Sequence, residues 1–340
     1  MKDLLMNPQK RDVIPFADKN APRIGLGTMS LGGDLCGPME EKVAHSILEQ
    51  SLEMGIRIWD TAAFYGMGKA EVLCGEVLSS SGLRNEVTII TKGGLRRDRH
   101  TNRPIRNASR TALLQDIEGS LRRLKTDTID IYQLHWPDAA TPVEETATTL
   151  RGLQEEGVLR HIGICNSSPS ILREFSQWIR IHSHELPFSL LDTSLRTTIM
   201  TTSRNMNIPI IAYGTLAQGL LAYDPTQKIS TTPLFRSWQP WFRDQLLPTY
   251  RKACRDLADW AEQRDKTLPQ LAVRYVLDEP GVAIALWGIH RPKQLSALQG
   301  ALEWSLSGEE RKALESIIQK WVSPSSPNTE VKGPPQRTPH

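Results

Sequence analysis

The chain has 340 residues, of which 39% are hydrophobic and 23% are charged, and its formal net charge is +3. This small charge, with the basic residues spread along the chain, argues against a nucleic-acid-binding protein. No apolar run approaches the roughly 20 residues of a membrane-spanning helix, and the four cysteines form no CxxC pair that would indicate a zinc site or a disulfide framework. Residues 1–13 lack the apolar segment of a signal peptide, so we expect a cytoplasmic protein.

Short β-branched runs alternate with stretches of helical periodicity along the chain. The strand candidates are residues 23–27, 56–59, 87–91, 129–134, 161–164, 188–191, 209–213 and 282–286. Between them the spacing predicts helices over 69–78, 111–124 and 143–156. A further helix opens at Ser168 and Pro169, where a serine can cap and a proline fits the first turn. This alternation predicts a parallel sheet covered by helices.

Eight strand–helix units close naturally into a (β/α)8 TIM barrel, which is a single α/β domain. The alternative is an open, doubly wound sheet with a glycine-rich phosphate turn, but residues 25–30 lack the third glycine of that turn. The sequence therefore predicts a barrel over 21–322, an N-terminal extension over 1–20, and a proline-rich, disordered tail over 323–340. An aromatic insert at 222–248 is predicted to be either a wall of a substrate pocket, through Trp238 and Trp241, or a self-packed loop.

Polar side chains follow three of the predicted strands. Asp60 and Tyr65 follow the second strand, Lys92 the third and His135 the fourth. The carboxyl ends of barrel strands meet at one mouth, so we expect these groups to lie close together. A lysine ammonium lowers the pKa of a neighbouring tyrosine, a carboxylate holds that ammonium, and a histidine can donate to a carbonyl oxygen. The four side chains therefore form a candidate proton-delivery set for carbonyl reduction.

The motifs at these strand ends resemble those of the aldo-keto reductase family. DTAAFYG at 60–66 resembles the family's DTAxxYG, TKGG at 91–94 resembles its TK segment, and HWPD at 135–138 resembles its HxPD. GICN at 163–166, QGLL at 218–221 and LWG at 286–288 resemble later segments in the same order. The resemblance spans roughly residues 23 to 302, in the style of the aryl-alcohol dehydrogenase and potassium-channel-β branch.

The resemblance implies an NADP(H)-dependent (β/α)8 barrel that reduces aldehydes or ketones, or runs the reverse oxidation, without a metal. Tyr65 would be the general acid and Lys92 would tune it, while Asp60 pairs with Lys92 and His135 orients the carbonyl oxygen. Phe64 and Trp136 would line the substrate pocket with the two tryptophans of the insert. The implied cofactor-binding residues are Gly27, Thr28, Met29, Asp60, Cys165, Asn166, Tyr213, Gly214, Leu216, Gln218, Gly219, Gly288, His290, Arg291 and Gln294.

Several positions depart from the family pattern. Cys165 stands where a serine is usual, and no QxxY is found after residue 188, so that Leu191 or Asp192 would take the place of the glutamine. Arg291 is always charged and can grip a 2′-phosphate, which favours NADPH over NADH. Alternative functions are an NADP(H)-binding regulatory subunit and an enzyme that uses bound NADP for a redox-neutral step. The partner is expected to be a small-molecule carbonyl compound, and the oligomeric state stays open.

Overall fold

A closed parallel barrel forms the centre of the computed structural model, which describes residues 12–98, 103–222, 234–237, 239–323, 330, 331 and 333. Eight of the described strands, β3 to β5 and β8 to β12, form the barrel and follow one another around it in chain order. The strands are β1 (Val13–Phe16), β2 (Lys19–Pro22), β3 (Ile24–Gly27), β4 (Ile58–Asp60), β5 (Thr88–Gly93), β6 (Leu95–Arg97), β7 (Pro104–Arg106), β8 (Ile129–Leu134), β9 (Leu159–Cys165), β10 (Ser183–Pro187), β11 (Ile210–Tyr213) and β12 (Val282–Gly288). The predicted (β/α)8 fold is confirmed.

Helices surround the barrel and bury their apolar faces against it. The described α-helices are α1 (Glu41–Glu53), α2 (Lys69–Ser81), α3 (Arg110–Leu124), α4 (Val143–Glu155), α5 (Pro169–Trp178), α6 (Thr201–Asn205), α7 (Leu234–Ser237), α8 (Leu247–Glu262), α9 (Leu268–Leu277) and α10 (Gly308–Gln319). The predicted cap of α5 is present, because the Ser168 side chain accepts from the backbone of Ile171 and Pro169 occupies the first turn. In the described part of the chain, no helix combines the length and the hydropathy of a transmembrane segment.

An antiparallel hairpin, β1 and β2, lies at the amino-terminal end of the barrel. Phe16 and Ala21 of this hairpin pack against barrel side chains such as Ile58, Ile131 and Ile284. The hairpin therefore closes the bottom of the barrel with apolar contacts, as the filled interior of such barrels requires. The boundary predicted at residue 20 falls inside this hairpin.

One predicted strand, at 188–191, is wrong, because the sixth barrel strand is β10 at Ser183–Pro187. The sequence of this strand, SHELP, is polar, but its polar side chains are buried next to polar groups of other residues. His184 lies between the hydroxyls of Ser167 at 2.9 Å and Ser203 at 2.8 Å, and burial lowers its pKa to about 3. Phe188 is buried in the loop that follows β10. The hydrophobic run that resembled a strand is therefore the packed loop beyond it.

Candidate active site

The carboxyl ends of β3, β4, β5 and β8 bring the predicted catalytic residues together. Asp60 pairs with Gly27 across β3 and β4, and Lys92 pairs with Gln133 across β5 and β8. His135 follows β8 directly, and its backbone N–H donates to the carbonyl of Gly93 at 2.9 Å. The parallel register therefore sets these side chains around one mouth of the barrel.

Asp60 and Lys92 form a buried ion pair inside this mouth. The Lys92 ammonium donates to Asp60 Oδ1 at 2.7 Å, contacts Oδ2 of the same carboxylate, and donates to the carbonyl of Thr61 at 3.1 Å. Burial lowers the pKa of Lys92, but the Asp60 carboxylate raises it, as does Glu185 when ionised, and the pKa lies well above its ordinary value. Lys92 is therefore held as an ammonium in a fixed position.

Tyr65 lies on a short turn, Tyr65–Gly68, that follows β4. The turn packs backbone to backbone against the loop after β3: a Cβ on Gly32 would lie 2.6 Å from the Gly66 nitrogen, and a Cβ on Gly66 would lie 2.4 Å from the Gly32 oxygen. The Gly66 N–H also donates to Asp34 at 3.2 Å. Two glycines thus let the loops touch, and this contact fixes the turn that carries Tyr65.

The Tyr65 ring is buried next to the Lys92 ammonium, which lies 5.5 Å from the ring centre. The predicted effect of Lys92, lowering the pKa of Tyr65, is present. Burial has the larger effect, however, and the pKa of Tyr65 lies well above 10. The sequence predicted the effect of Lys92 but not the larger, opposite effect of placing a phenolate in a buried site.

His135 stands against the edge of Tyr65, with ring centres 5.8 Å apart. Burial and the nearby Lys92 charge lower its pKa well below 6.5, so the imidazole is neutral at physiological pH. Its Nδ1 atom is buried and has no hydrogen-bond partner among the described residues. The predicted set of Asp60, Tyr65, Lys92 and His135 is thus brought together in one buried site.

Glu185, on β10, belongs to the same site and was not predicted. Its Oε1 atom lies 3.4 Å from the Lys92 nitrogen, and its backbone pairs with Cys165 on β9. Neither Leu191 nor Asp192, which were expected near this place, lies on β10. Sequence reasoning missed Glu185 because it assigned the sixth strand to the apolar run five residues further on. The available signal was an acidic residue inside a short segment, SHELP, that lies at the spacing expected for the sixth strand.

Cys165, Asn166 and Tyr213 are linked at the ends of β9 and β11. The Asn166 amide donates to the carbonyl of His135 at 3.2 Å and to Cys165 Sγ at 3.1 Å, while Tyr213 donates its hydroxyl to Asn166 Oδ1 at 2.8 Å. Asn166 adopts a left-handed backbone with φ of 58°, which asparagine tolerates better than most residues. These contacts join the predicted carboxamide site to His135.

The remaining predicted residues of the nicotinamide end lie at the ends of β3, β11 and β12. Thr28 is buried and donates its hydroxyl to the Asp60 carbonyl at 2.8 Å, and Met29 packs near Tyr65. Gly27 pairs with Gly288, and a Cβ on Gly288 would meet no atom within 4 Å. After β11 the chain turns through positive φ angles at Gly214, Gln218 and Gly219, with Leu216 buried between them.

The predicted phosphate and adenine contacts, His290, Arg291 and Gln294, follow β12. Gln294 Oε1 accepts from the backbone N–H groups of His290 and Arg291 at 2.8 and 2.9 Å, so this side chain organises the turn. Burial, with Arg236 and Arg291 nearby, lowers the pKa of His290. Arg236, from the described part of the insert, donates to the carbonyl of Gln218 at 3.1 Å. It is a cation at this edge that sequence reasoning missed.

The predicted pocket aromatics divide between two places. Phe64 and Trp136 belong to a mouth cluster, defined by Leu35, Cys36, Phe64, Leu95 and Trp136, against which Val331 of the tail also packs. Trp241 instead lies in the main core, in edge contact with Tyr250 at 6.2 Å between ring centres. Trp238 lies outside the described residues. The structure therefore brings Trp136 and Phe64 together, but not Trp241 with them.

Fold and site together define a class: a barrel oxidoreductase with a tyrosine hydroxyl, a buried ammonium and a neutral imidazole at its carboxyl-terminal mouth. The chain belongs to the aldo/keto reductase family, whose model matches residues 23–319. The family predicted from the motifs is confirmed, and with it an oxidoreductase that acts on carbonyl groups and uses a nicotinamide cofactor.

Three relatives illustrate the match. The chain is 35% identical over 320 residues to the aldo-keto reductase YhdN of Bacillus subtilis, covering 93% of this chain and 96% of the relative. It is 28% identical over 327 residues to the NADH-specific methylglyoxal reductase of Escherichia coli, covering 91% and 98%. The structure of a glycerol dehydrogenase from Gluconobacter oxydans superposes with a TM-score of 0.84 at 31% identity, covering 95% of this chain and 100% of that one.

Proposed function

We propose that this protein is an NADPH-dependent reductase of aldehydes or ketones, with Tyr65 as the proton donor. The observation that carries the proposal is the burial of Tyr65, Lys92, Asp60 and His135 in one contact group at the barrel mouth. Reduction of a carbonyl needs a proton at the oxygen and a hydride at the carbon, and this group supplies the first requirement. We also propose, from the composition of the chain, that the protein works in the cytoplasm.

The physical chemistry of each side chain fits that role. Burial keeps Tyr65 protonated at neutral pH, and the proton leaves as negative charge develops on the substrate oxygen. The phenolate left behind faces the Lys92 ammonium, whose fixed charge stabilises it in a site of low polarity. A neutral His135 donates a hydrogen bond to the carbonyl oxygen without taking the proton itself.

The residues around the tetrad fit a nicotinamide cofactor. Gly27 and Gly288 have no side chains, so the space next to their Cα atoms is left open for a ligand. The Oε1 atom of Gln218 is buried and has no hydrogen-bond partner in the described part of the chain. We propose that Asn166, Tyr213 and Gln218 hold the nicotinamide end. When bound, the nicotinamide supplies the hydride.

The proposed preference for NADPH rests on the positively charged side chains near the turn that follows β12. Arg291 is exposed and always charged, and Arg236 adds a second guanidinium near His290. With its lowered pKa, His290 contributes no full charge at neutral pH. The E. coli relative is named as NADH-specific, so the choice between the two cofactors has to be measured on this chain.

The test is oxidation of NADPH by the purified protein with a panel of aryl aldehydes, sugars and diketones, beside an independent fluorescence titration of NADPH binding. The proposal predicts saturable binding and turnover with at least one carbonyl compound. Binding without turnover across the panel would contradict it and would favour a regulatory subunit or a redox-neutral reaction.

A further inference from the structure

Lys92 lies between two buried carboxyl groups, although the proposed reaction uses only one. Asp60 contacts the ammonium with both of its oxygens, and Glu185 approaches it with Oε1 at 3.4 Å. All three residues are buried, with 2% exposure or less. One ammonium balances one carboxylate, so a second ionised carboxylate here would leave an uncompensated charge in a buried place.

The geometry favours Glu185 over Asp60 as the site of the extra proton. Asp60 has the shorter contacts with the ammonium, whereas Glu185 has one longer contact. Glu185 Oε2 is buried and has no hydrogen-bond partner among the described residues, and the same holds for Oε1 of Gln133. A buried carboxylate oxygen that lacks a donor costs free energy, and a proton on Glu185 reduces this cost. Burial and the negative charge of Asp60 raise the pKa of Glu185 to about 8.

The groups around Glu185 come from the neighbouring strands and the turn after β4. Tyr65, Cys165 and Tyr213 have pKa values raised by burial, so they stay neutral through this range. Lys92 stays charged and His135 stays neutral. The titratable and polar groups that interact with Glu185 are Asp60 of β4, Tyr65, Lys92 of β5, Gln133 of β8, Cys165 of β9 and Tyr213 of β11.

We propose that Glu185 is a positioning residue that holds a proton at neutral pH and sets the alkaline limit of the reaction when it loses that proton to water. This inference rests on the proposed function, in which Tyr65 exchanges a proton with the substrate oxygen. An ionised Glu185 competes with Asp60 for Lys92 and adds a negative charge that opposes a phenolate on Tyr65. Tyr65 then becomes a weaker acid, and both directions of the reaction slow down.

The first test needs no turnover. Infrared spectra of the protein with ¹³C-labelled glutamate are recorded as the pH rises, for the wild type, Glu185→Gln and the surface control Glu155→Gln. The proposal predicts a protonated glutamic acid band in the wild type and the control that disappears with a midpoint near pH 8, as expected from the pKa of Glu185. This band should be missing in Glu185→Gln. If no such band is removed by the substitution, the proposal is overturned.

The second test is the pH profile of kcat with saturating NADPH and carbonyl substrate. We expect the alkaline decline of the wild type to move upward by about one pH unit in Glu185→Gln, while Glu155→Gln follows the wild type. Turnover with equal profiles in all three proteins would refute the role of Glu185 alone. Absence of wild-type turnover would refute the proposed function and this role together. If Glu185→Gln does not fold, Glu185→Asp keeps an acid at the position; labelled with ¹³C-aspartate, it must show a protonated acid band absent from the equally labelled wild type, and the midpoint of this band must match the alkaline decline of its kcat.

Discussion

Glu185→Gln should change how the stability of the protein depends on pH. In the folded chain, burial and Asp60 raise the pKa of this carboxyl group from 4.5 to about 8. The unfolded chain therefore releases the proton from about pH 4.5 upward, whereas the folded chain keeps it until about pH 8. Because the folded state binds more protons in this window, Glu185 makes the free energy of unfolding fall as the pH rises.

The size of the effect follows from the same difference. Each tenfold change in proton affinity is worth about 1.4 kcal/mol, so the rise in pKa corresponds to up to about 5 kcal/mol across the window. Glutamine keeps the shape of the side chain but does not titrate. The stability of Glu185→Gln relative to the wild type should therefore increase by about 1.4 kcal/mol for each pH unit between about pH 5 and pH 8.

The assay is urea unfolding, followed by circular dichroism, at several pH values in this window. Glu155→Gln provides the matched control, because its side chain is 72% exposed and its difference from the wild type should stay nearly constant. Parallel pH curves for the wild type and Glu185→Gln would contradict a raised pKa of Glu185, since they would mean that this residue binds its proton equally well in the folded and unfolded chains.

Three further substitutions test the 2′-phosphate contact, the packing of the two loops at the site and a buried ion pair. Arg291→Ala should weaken NADPH binding at least about tenfold, the value of one charged hydrogen bond, and should leave NADH binding nearly unchanged in fluorescence titrations. Gly32→Ala should cost about 1–3 kcal/mol by forcing apart the two loops at the site, and should lower kcat. Asp12→Asn should cost about 3 kcal/mol in urea unfolding, because it removes a buried carboxylate 3.0 Å from Arg274.

Two of these substitutions, Gly32→Ala and Arg291→Ala, have a matched control in the same chain. Gly152→Ala makes the same chemical change as Gly32→Ala, but at a helical position where a Cβ meets no atom within 4 Å. It should stabilise the protein by up to about 1 kcal/mol. Arg173→Ala removes an exposed arginine from α5 and should bind both cofactors as the wild type does. Equal loss of NADPH and NADH binding in Arg291→Ala would mean that other residues hold the 2′-phosphate.

The sequence predicts the barrel and the set of Asp60, Tyr65, Lys92 and His135 well, because the pattern of strands and the short motifs that follow them indicate the same fold. The segment 129–134 (IDIYQL) has the pattern of a strand and a histidine directly after it, and β8 has these bounds in the structure. Since parallel strands of a barrel end at one mouth, the order of Asp60, Lys92 and His135 along the chain is enough to place them together. Short motifs at strand ends therefore carry most of the information about the site.

The features that the sequence did not predict depend on burial and on contacts between residues distant in the chain. β10 is a polar strand whose side chains contact residues distant in sequence. It has no local hydrophobic periodicity, so the sequence predicted neither the strand nor the place of Glu185 in the site. The net pKa of Tyr65 depends on burial, which a sequence does not report. The sequence left two alternatives open for Trp241, a substrate pocket and a self-packed loop. The spacing of aromatic residues does not predict its contact with Tyr250.

The assignment of Tyr65 as the proton donor is tested most directly by the turnover of Tyr65→Phe with NADPH and the best carbonyl substrate of the panel. Removing only the hydroxyl should lower kcat at least about a hundredfold, in line with the contribution of a general acid, while the dissociation constant of NADPH stays close to that of the wild type. Tyr250→Phe, in the core, serves as the control and should retain activity. Turnover by Tyr65→Phe close to the wild-type rate would contradict the assignment of Tyr65 as the proton donor.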